Sequence, residues 1–77
     1  MITVYFHDLT SGLNKSVELH ELPRIGDTIG LAPSNAFYLV KGITQNKFDL
    51  KKHLEENWKF EVYAVQIEQS TWIRSLR

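Results

Sequence analysis

The stretch from Trp58 to Glu68 constrains this chain more than any other. It alternates with a period of two, setting Trp58, Phe60, Val62 and Ala64 on one side and Tyr63, Val65 and Ile67 on the other. A strand that is apolar on both faces needs cover on both. In a short chain that condition is met where a sheet bends round to serve two halves of a small barrel. The 77 residues amount to one domain, 1–77, about half the usual domain length. A chain this short buries about 60–65% of its unfolded surface, and its core seldom contributes more than about 3–5 kcal/mol. With no cysteine, disulfides, Cys-ligated zinc and thiol chemistry are excluded. A partner or self-association is therefore the expected source of further stabilisation.

The rest of the chain fits the same frame. In Ile2–Asp8 the residues Ile2, Val4 and Phe6 share one face and Thr3, Tyr5 and His7 the other. Ser11-Gly12 and Asn14 break the pattern, and Val17–His20 resumes it, which predicts an antiparallel hairpin. Pro23 lacks a ladder donor and Gly26 tolerates positive φ, so the chain turns there and enters a third strand, Thr28–Leu31. In the fourth, Ala36–Thr44, Tyr38 and Val40 share a face but Ile43 arrives one residue late; a bulge at Lys41-Gly42 restores the phase. Asp49 as cap, Leu50 and Leu54 on one face and Asn57 as terminator predict a short helix over about 49–56. The fold expected is mainly β: a five-stranded antiparallel SH3-like small barrel with that helix inserted before the last strand.

Leu22-Pro23-Arg24-Ile25-Gly26-Asp27-Thr28-Ile29, followed by Tyr38-Leu39-Val40-Lys41-Gly42-Ile43, resembles a pattern in many short uncharacterised bacterial and phage proteins. The resemblance spans roughly residues 17–67 and implies an SH3-like barrel. It says little about activity. In those proteins a histidine often follows the last apolar position by two residues; Gln45 stands there in this chain.

Charge removes several function classes. Nine Lys+Arg balance nine Asp+Glu, so the chain lacks the cation excess of an ordinary nucleic-acid module. No apolar run approaches the roughly 18 residues of a membrane span, and no charged-then-apolar segment opens the chain, which points to a cytoplasmic protein. His20-Glu21 begins a zinc-helix pattern, but Pro23 and Arg24 break it. His7 and His20 facing each other across the first hairpin would supply at most two ligands plus a carboxylate such as Glu18, so no metal or other cofactor is expected. Ser16, Ser34 and Ser70 lack a glycine elbow, and Glu55-Glu56 belongs to an exposed helix end; an enzyme is not expected.

Two interaction surfaces are left. The first is the C-terminal segment, where Trp72, Ile73 and Leu76 follow the last strand with Arg74 and Arg77 among them. Ser70 can cap one helical turn there, and Trp and Arg are the residues most enriched at interface hot spots. Either this segment binds another protein or a second copy, or it folds back to seal the barrel. The second surface sets Lys41, Lys47, Lys51 and Lys52 beside Tyr38 and Phe48, as a single-stranded nucleic-acid binder stacking bases on aromatics would require. Weighed together, these features point to a non-enzymatic protein-interaction module, with a phage or mobile-element origin suggested by size and resemblance, and nucleic-acid binding as the alternative. Because three dispersed histidines and no cysteine make a four-ligand structural site hard to assemble, excess chelator should leave the thermal midpoint unchanged; a drop of several degrees would show otherwise.

Overall fold

The structure, a computed structural model, describes residues 1–31, 36–46 and 59–77. The alternating runs form strands β1 (Ile2–Asp8), β2 (Asn14–Leu19), β3 (Thr28–Leu31), β4 (Ala36–Gln45) and β5 (Phe60–Gln66), followed by a short helix α1 (Gln69–Ser75). The helix expected over 49–56 and Trp58 lie outside the described residues. No helix among the described residues is long and apolar enough to cross a membrane.

The strands make one sheet in the order β2-β1-β5-β4-β3, curled into a half-barrel. β1–β2, β3–β4 and β4–β5 are antiparallel, whereas β1 and β5 run parallel. The expectation of an all-antiparallel barrel is thereby corrected to a mixed sheet. The cause is topological: β5 lies between the β1–β2 and β3–β4 hairpins, and its direction is set by antiparallel pairing to β4. Side-chain alternation is identical for parallel and antiparallel neighbours, so it carries no trace of that choice. The bulge expected at Lys41-Gly42 is present: Val40 pairs with Ala64 and Gly42 with Tyr63, which leaves Lys41 as the extra residue. Val40 is consequently buried, and Ile43 packs against the core.

The concave face holds the core, made of Val4, Phe6, Ile29, Tyr38, Val40, Val62 and Ala64. Ile2, Val17, Leu19, Leu31 and Phe60 are half-buried around it. Phe6 meets Tyr38 edge-on at 4.9 Å between ring centroids. Burying an aromatic of this kind contributes about 1.5–3 kcal/mol, provided that any polar tip keeps a partner. Tyr38 satisfies that condition, because its hydroxyl donates to Asp8 Oδ2 at 3.0 Å. Asp8 Oδ1 also accepts the Thr10 and Ser11 N–H groups at 2.9 and 3.1 Å, closing the first hairpin turn. Burial pushes the Asp8 carboxyl up, but hydrogen bonds from Ser11, Tyr38 and Thr10 outweigh it and hold the group below its ordinary value. Burial and the neighbouring Asp8 raise the Tyr38 hydroxyl. Leu9 N–H donates to the Ala64 carbonyl at 2.8 Å, and Gln66 N–H to Thr10 Oγ1 at 2.8 Å. These bonds fasten the hairpin tip to the end of β5.

The turn before β3 depends on Gly26, whose φ is +95°. Its N–H donates to the Val40 carbonyl at 2.9 Å, Asp27 N–H to the Arg24 carbonyl at 3.0 Å, and Arg24 N–H to Asp27 Oδ2 at 2.8 Å. A Cβ at Gly26 meets nothing within 4 Å, so the obstacle to a side chain is the backbone conformation alone. Gly26→Val should cost about 1–3 kcal/mol, read as a lower urea midpoint; an unchanged midpoint would contradict this account.

Candidate functional site

In an antiparallel pair, alternate residues direct their main-chain N–H and C=O toward the partner and away from it. The bond from Asp8 N–H to the Leu13 carbonyl sets this phase for the first hairpin. Val4–Val17 and Phe6–Lys15 are then bonded pairs, and Ser16 and Glu18 of β2 turn their main-chain groups outward. Val40 N–H donates to the Asp27 carbonyl, which by the same rule makes Ile29–Tyr38 and Leu31–Ala36 bonded pairs. Thr28 and Gly30 of β3 therefore also face outward.

These two outward edges confront each other. Among the described residues β2 and β3 are the margins of the sheet and pair with no strand on their outer sides, yet they line common ground. One cavity of about 410 Å³ lies at the loop end, between Leu19-His20-Glu21 and Asp27–Gly30. A second of about 430 Å³ runs along Lys15–His20 of β2 opposite Gly30 and Leu31. The two share Leu19, His20 and Gly30, so they form one seam where the half-barrel stays open. Val17, Leu19 and Leu31 are half-buried along it. Among its described lining, Glu18, Glu21 and Asp27 face one lysine, Lys15, at the far end of β2 from the loop.

The convex face carries a different arrangement. Tyr5 pairs with Glu61 and His7 with Tyr63, so these four side chains gather on one side of β1 and β5. His7 stacks on Tyr63 at 4.4 Å and 14° and meets Tyr5 edge-on at 5.0 Å. His7 Nε2 donates to Glu61 Oε1 at 2.8 Å, since a carboxylate only accepts; its Nδ1 meets the Asn14 side-chain amide at 3.1 Å. Asn46 Nδ2 donates to Glu61 Oε2 at 2.9 Å, and Thr44 Oγ1 to the Tyr63 hydroxyl at 3.2 Å. The groups of this face that have chemistry to offer are thus occupied by one another. They knit four strands together.

The structure sorts the residues that the sequence singled out. Tyr38 is buried in the core and cannot stack a base, which removes it from the nucleic-acid surface. Lys41 is exposed at the bulge; Lys47, Phe48, Lys51 and Lys52 lie outside the described residues. Trp72 is half-buried on α1, with its ring 5.7 Å from that of Phe37, so it docks on the outside of β4 and does not enter the core. Ile73, Arg74, Leu76 and Arg77 are exposed, with Ile73 at 46% and Leu76 at 64%. Ser70 does not cap the helix: Glu68 holds the cap position and accepts the Ser70 hydroxyl at 2.7 Å. His7 and His20 do not face each other, because His7 pairs with Asn14 while His20 follows Leu19, the partner of Ile2 at the opposite end of the hairpin. Among the described residues no group of three or more His, Asp or Glu is placed to hold a metal.

Neither a protein-family model, nor a curated protein, nor a solved structure matches this chain.

The Glu61 cluster makes a pH prediction. Donation from Asn46 and then from His7 holds the carboxyl below its ordinary value of 4.5, against a smaller opposing effect of burial. A lowered folded-state value means that the contribution to stability is fully present above about pH 4.5 and is lost as acid takes the solution through the folded value. Glu61→Gln should cost about 0.5–1.5 kcal/mol at neutral pH, and the gap in thermal midpoint should close in acid. A gap independent of pH would contradict the assignment.

Proposed function

We propose that the protein is a non-enzymatic interaction module that holds a partner protein along the open seam between β2 and β3 by strand pairing. The observation that carries this reading is the confrontation, across one seam, of two sheet edges that no other described strand pairs with. Unpaired edges are templates for another chain, and proteins that do not use them usually cover or blunt them. β3 has only four residues and β2 carries Lys15, so both edges resist indiscriminate pairing while leaving Ser16, Glu18, Thr28 and Gly30 available. The small size of the core adds support, since a partner is the remaining source of stabilisation in a chain without disulfides. A bacterial or phage origin is suggested by size and the sequence resemblance, and a cytoplasmic setting by the sequence's lack of an apolar span. Single-stranded nucleic acid is the weaker ligand, because the balanced charge gives little phosphate attraction and the Tyr38 ring is taken up by the core.

Ser16→Pro tests the reading. It deletes an N–H that points away from β1, so the internal ladder survives while the edge is blocked. With thermal midpoints matched, immobilised wild type should retain host-lysate proteins that the variant does not, and nuclease or moderate salt should leave that retention intact. Equal retention by both proteins, or loss on nuclease treatment, would overturn the proposal.

A further inference from the structure

We infer that the seam takes one extended, otherwise unpaired segment of a partner chain, apolar at alternate residues and basic where it passes Glu18, Glu21 and Asp27. This rests on the edge-pairing function proposed above and specifies its ligand.

The number of free edges selects the occupant. β1 is antiparallel to β2 and parallel to β5, β5 is antiparallel to β4, and β4 to β3; β2 and β3 therefore run in opposite senses. A segment between them is antiparallel to one and parallel to the other, and both kinds of ladder are sound. Such a segment must have both of its own edges free. A second folded copy offers a margin strand that is already bonded to its own sheet, so it satisfies β2 or β3 but not both. A flexible extended segment satisfies the two together.

The side-chain pattern follows from the faces. Val17 and Leu19 of β2 and Ile29 and Leu31 of β3 lie on the concave side, packed against or within the core. Alternate residues of the incoming segment fall over these and continue the core, so they are apolar. The residues between them emerge on the outer side beside Ser16, Glu18 and Gly30. A Cβ at Gly30 would meet nothing within 4 Å, which leaves space there for a long side chain of the ligand. That side chain is basic by charge complementarity, because Glu21 and Asp27 line the loop end of the seam and Glu18 lines its other cavity, against the single lysine Lys15.

Three capped synthetic peptides test the inference by amide NMR and hydrogen exchange on the intact chain. The first alternates valine with lysine and threonine; the second has the same composition with the valines contiguous; the third replaces the lysines with glutamates. The alternating lysine peptide should protect Ser16 and Glu18 together with Thr28 and Gly30, and should bind more tightly than the other two. An exposed ion pair is worth about two- to fivefold in affinity, so Glu18→Lys should weaken the lysine peptide by about that factor and strengthen the glutamate one. Equal binding of all three peptides, protection of one edge only, or shifts confined to the convex face would overturn the inference. So would dimerisation of the free chain in sedimentation that is abolished by Ser16→Pro, because a second copy would then own the edge. If the lysine peptide fails while Ser16→Pro still abolishes lysate capture, the inferred ligand is wrong and the interaction function stands. If Ser16→Pro leaves capture intact while the peptide protects both edges, the proposed function fails and the seam's preference stands.

Discussion

The pairing of β5 with β1 on one side and β4 on the other is the constraint from which the rest follows. Its register sets Val62 opposite Phe6 and Ile43, and Ala64 opposite Asp8 and Val40. Buried side chains of three strands thereby meet on one face. A slip of a single residue would bring Glu61 and Tyr63 into that face and strand an ionised carboxylate in the core, at a cost of several kcal/mol. The same placement decides what is left open. With β5 between the two hairpins, β2 and β3 are the margins among the described strands, and each hairpin has spent its inner strand, β1 or β4, on β5.

The bulge at Lys41 keeps this register compatible with the sequence of β4. Val40 and Ile43 are separated by two residues, so an unbroken strand would direct them to opposite faces. Setting Lys41 aside lets both serve the core and brings Thr44 opposite Glu61 and Gln45 opposite Phe60, which carries Asn46 within reach of the Glu61 carboxylate. The convex network of His7, Glu61, Asn46 and Asn14 is thus a consequence of the same offset. It ties β2, β1, β5 and the end of β4 through side chains where main-chain bonds tie them already.

Much of this was legible in the residues. The face assignment of Ile2, Val4 and Phe6 against Tyr5 and His7, the bulge at Lys41-Gly42 and the strand Thr28–Leu31 follow from a period of two, which is a local property of the backbone. The parallel β1–β5 pair was not legible, because adjacency between distant strands leaves no mark on alternation. The seam was hidden for the same reason, since which strands become margins is a property of sheet order. Gly30 inside a strand was its one local signal, a position where another backbone can approach closely. Tyr38 misled because an aromatic beside lysines in sequence looks like a stacking platform, whereas its neighbours in space are Phe6 and Asp8. Trp72 was surplus to the core as its position past β5 suggested, but its ring is partly occupied by Phe37.

In the proposed function, folding and binding draw on the same surface. Val17, Leu19 and Leu31 are half-covered by the domain itself, so the apolar area they still expose along the seam is the area a docked segment would remove from water. A core of this size contributes about 3–5 kcal/mol, and a ligand present at about a hundred times its dissociation constant adds about 2.7 kcal/mol by mass action alone. The second quantity is a large fraction of the first. β2 is exposed along most of its length and held on one side only, so its opening costs less than that of a strand inside the sheet. Occupancy of the seam would give it a second ladder and move it from the margin toward the interior of a sheet. With the seam occupied as proposed, stability would be a function of partner concentration as much as of sequence.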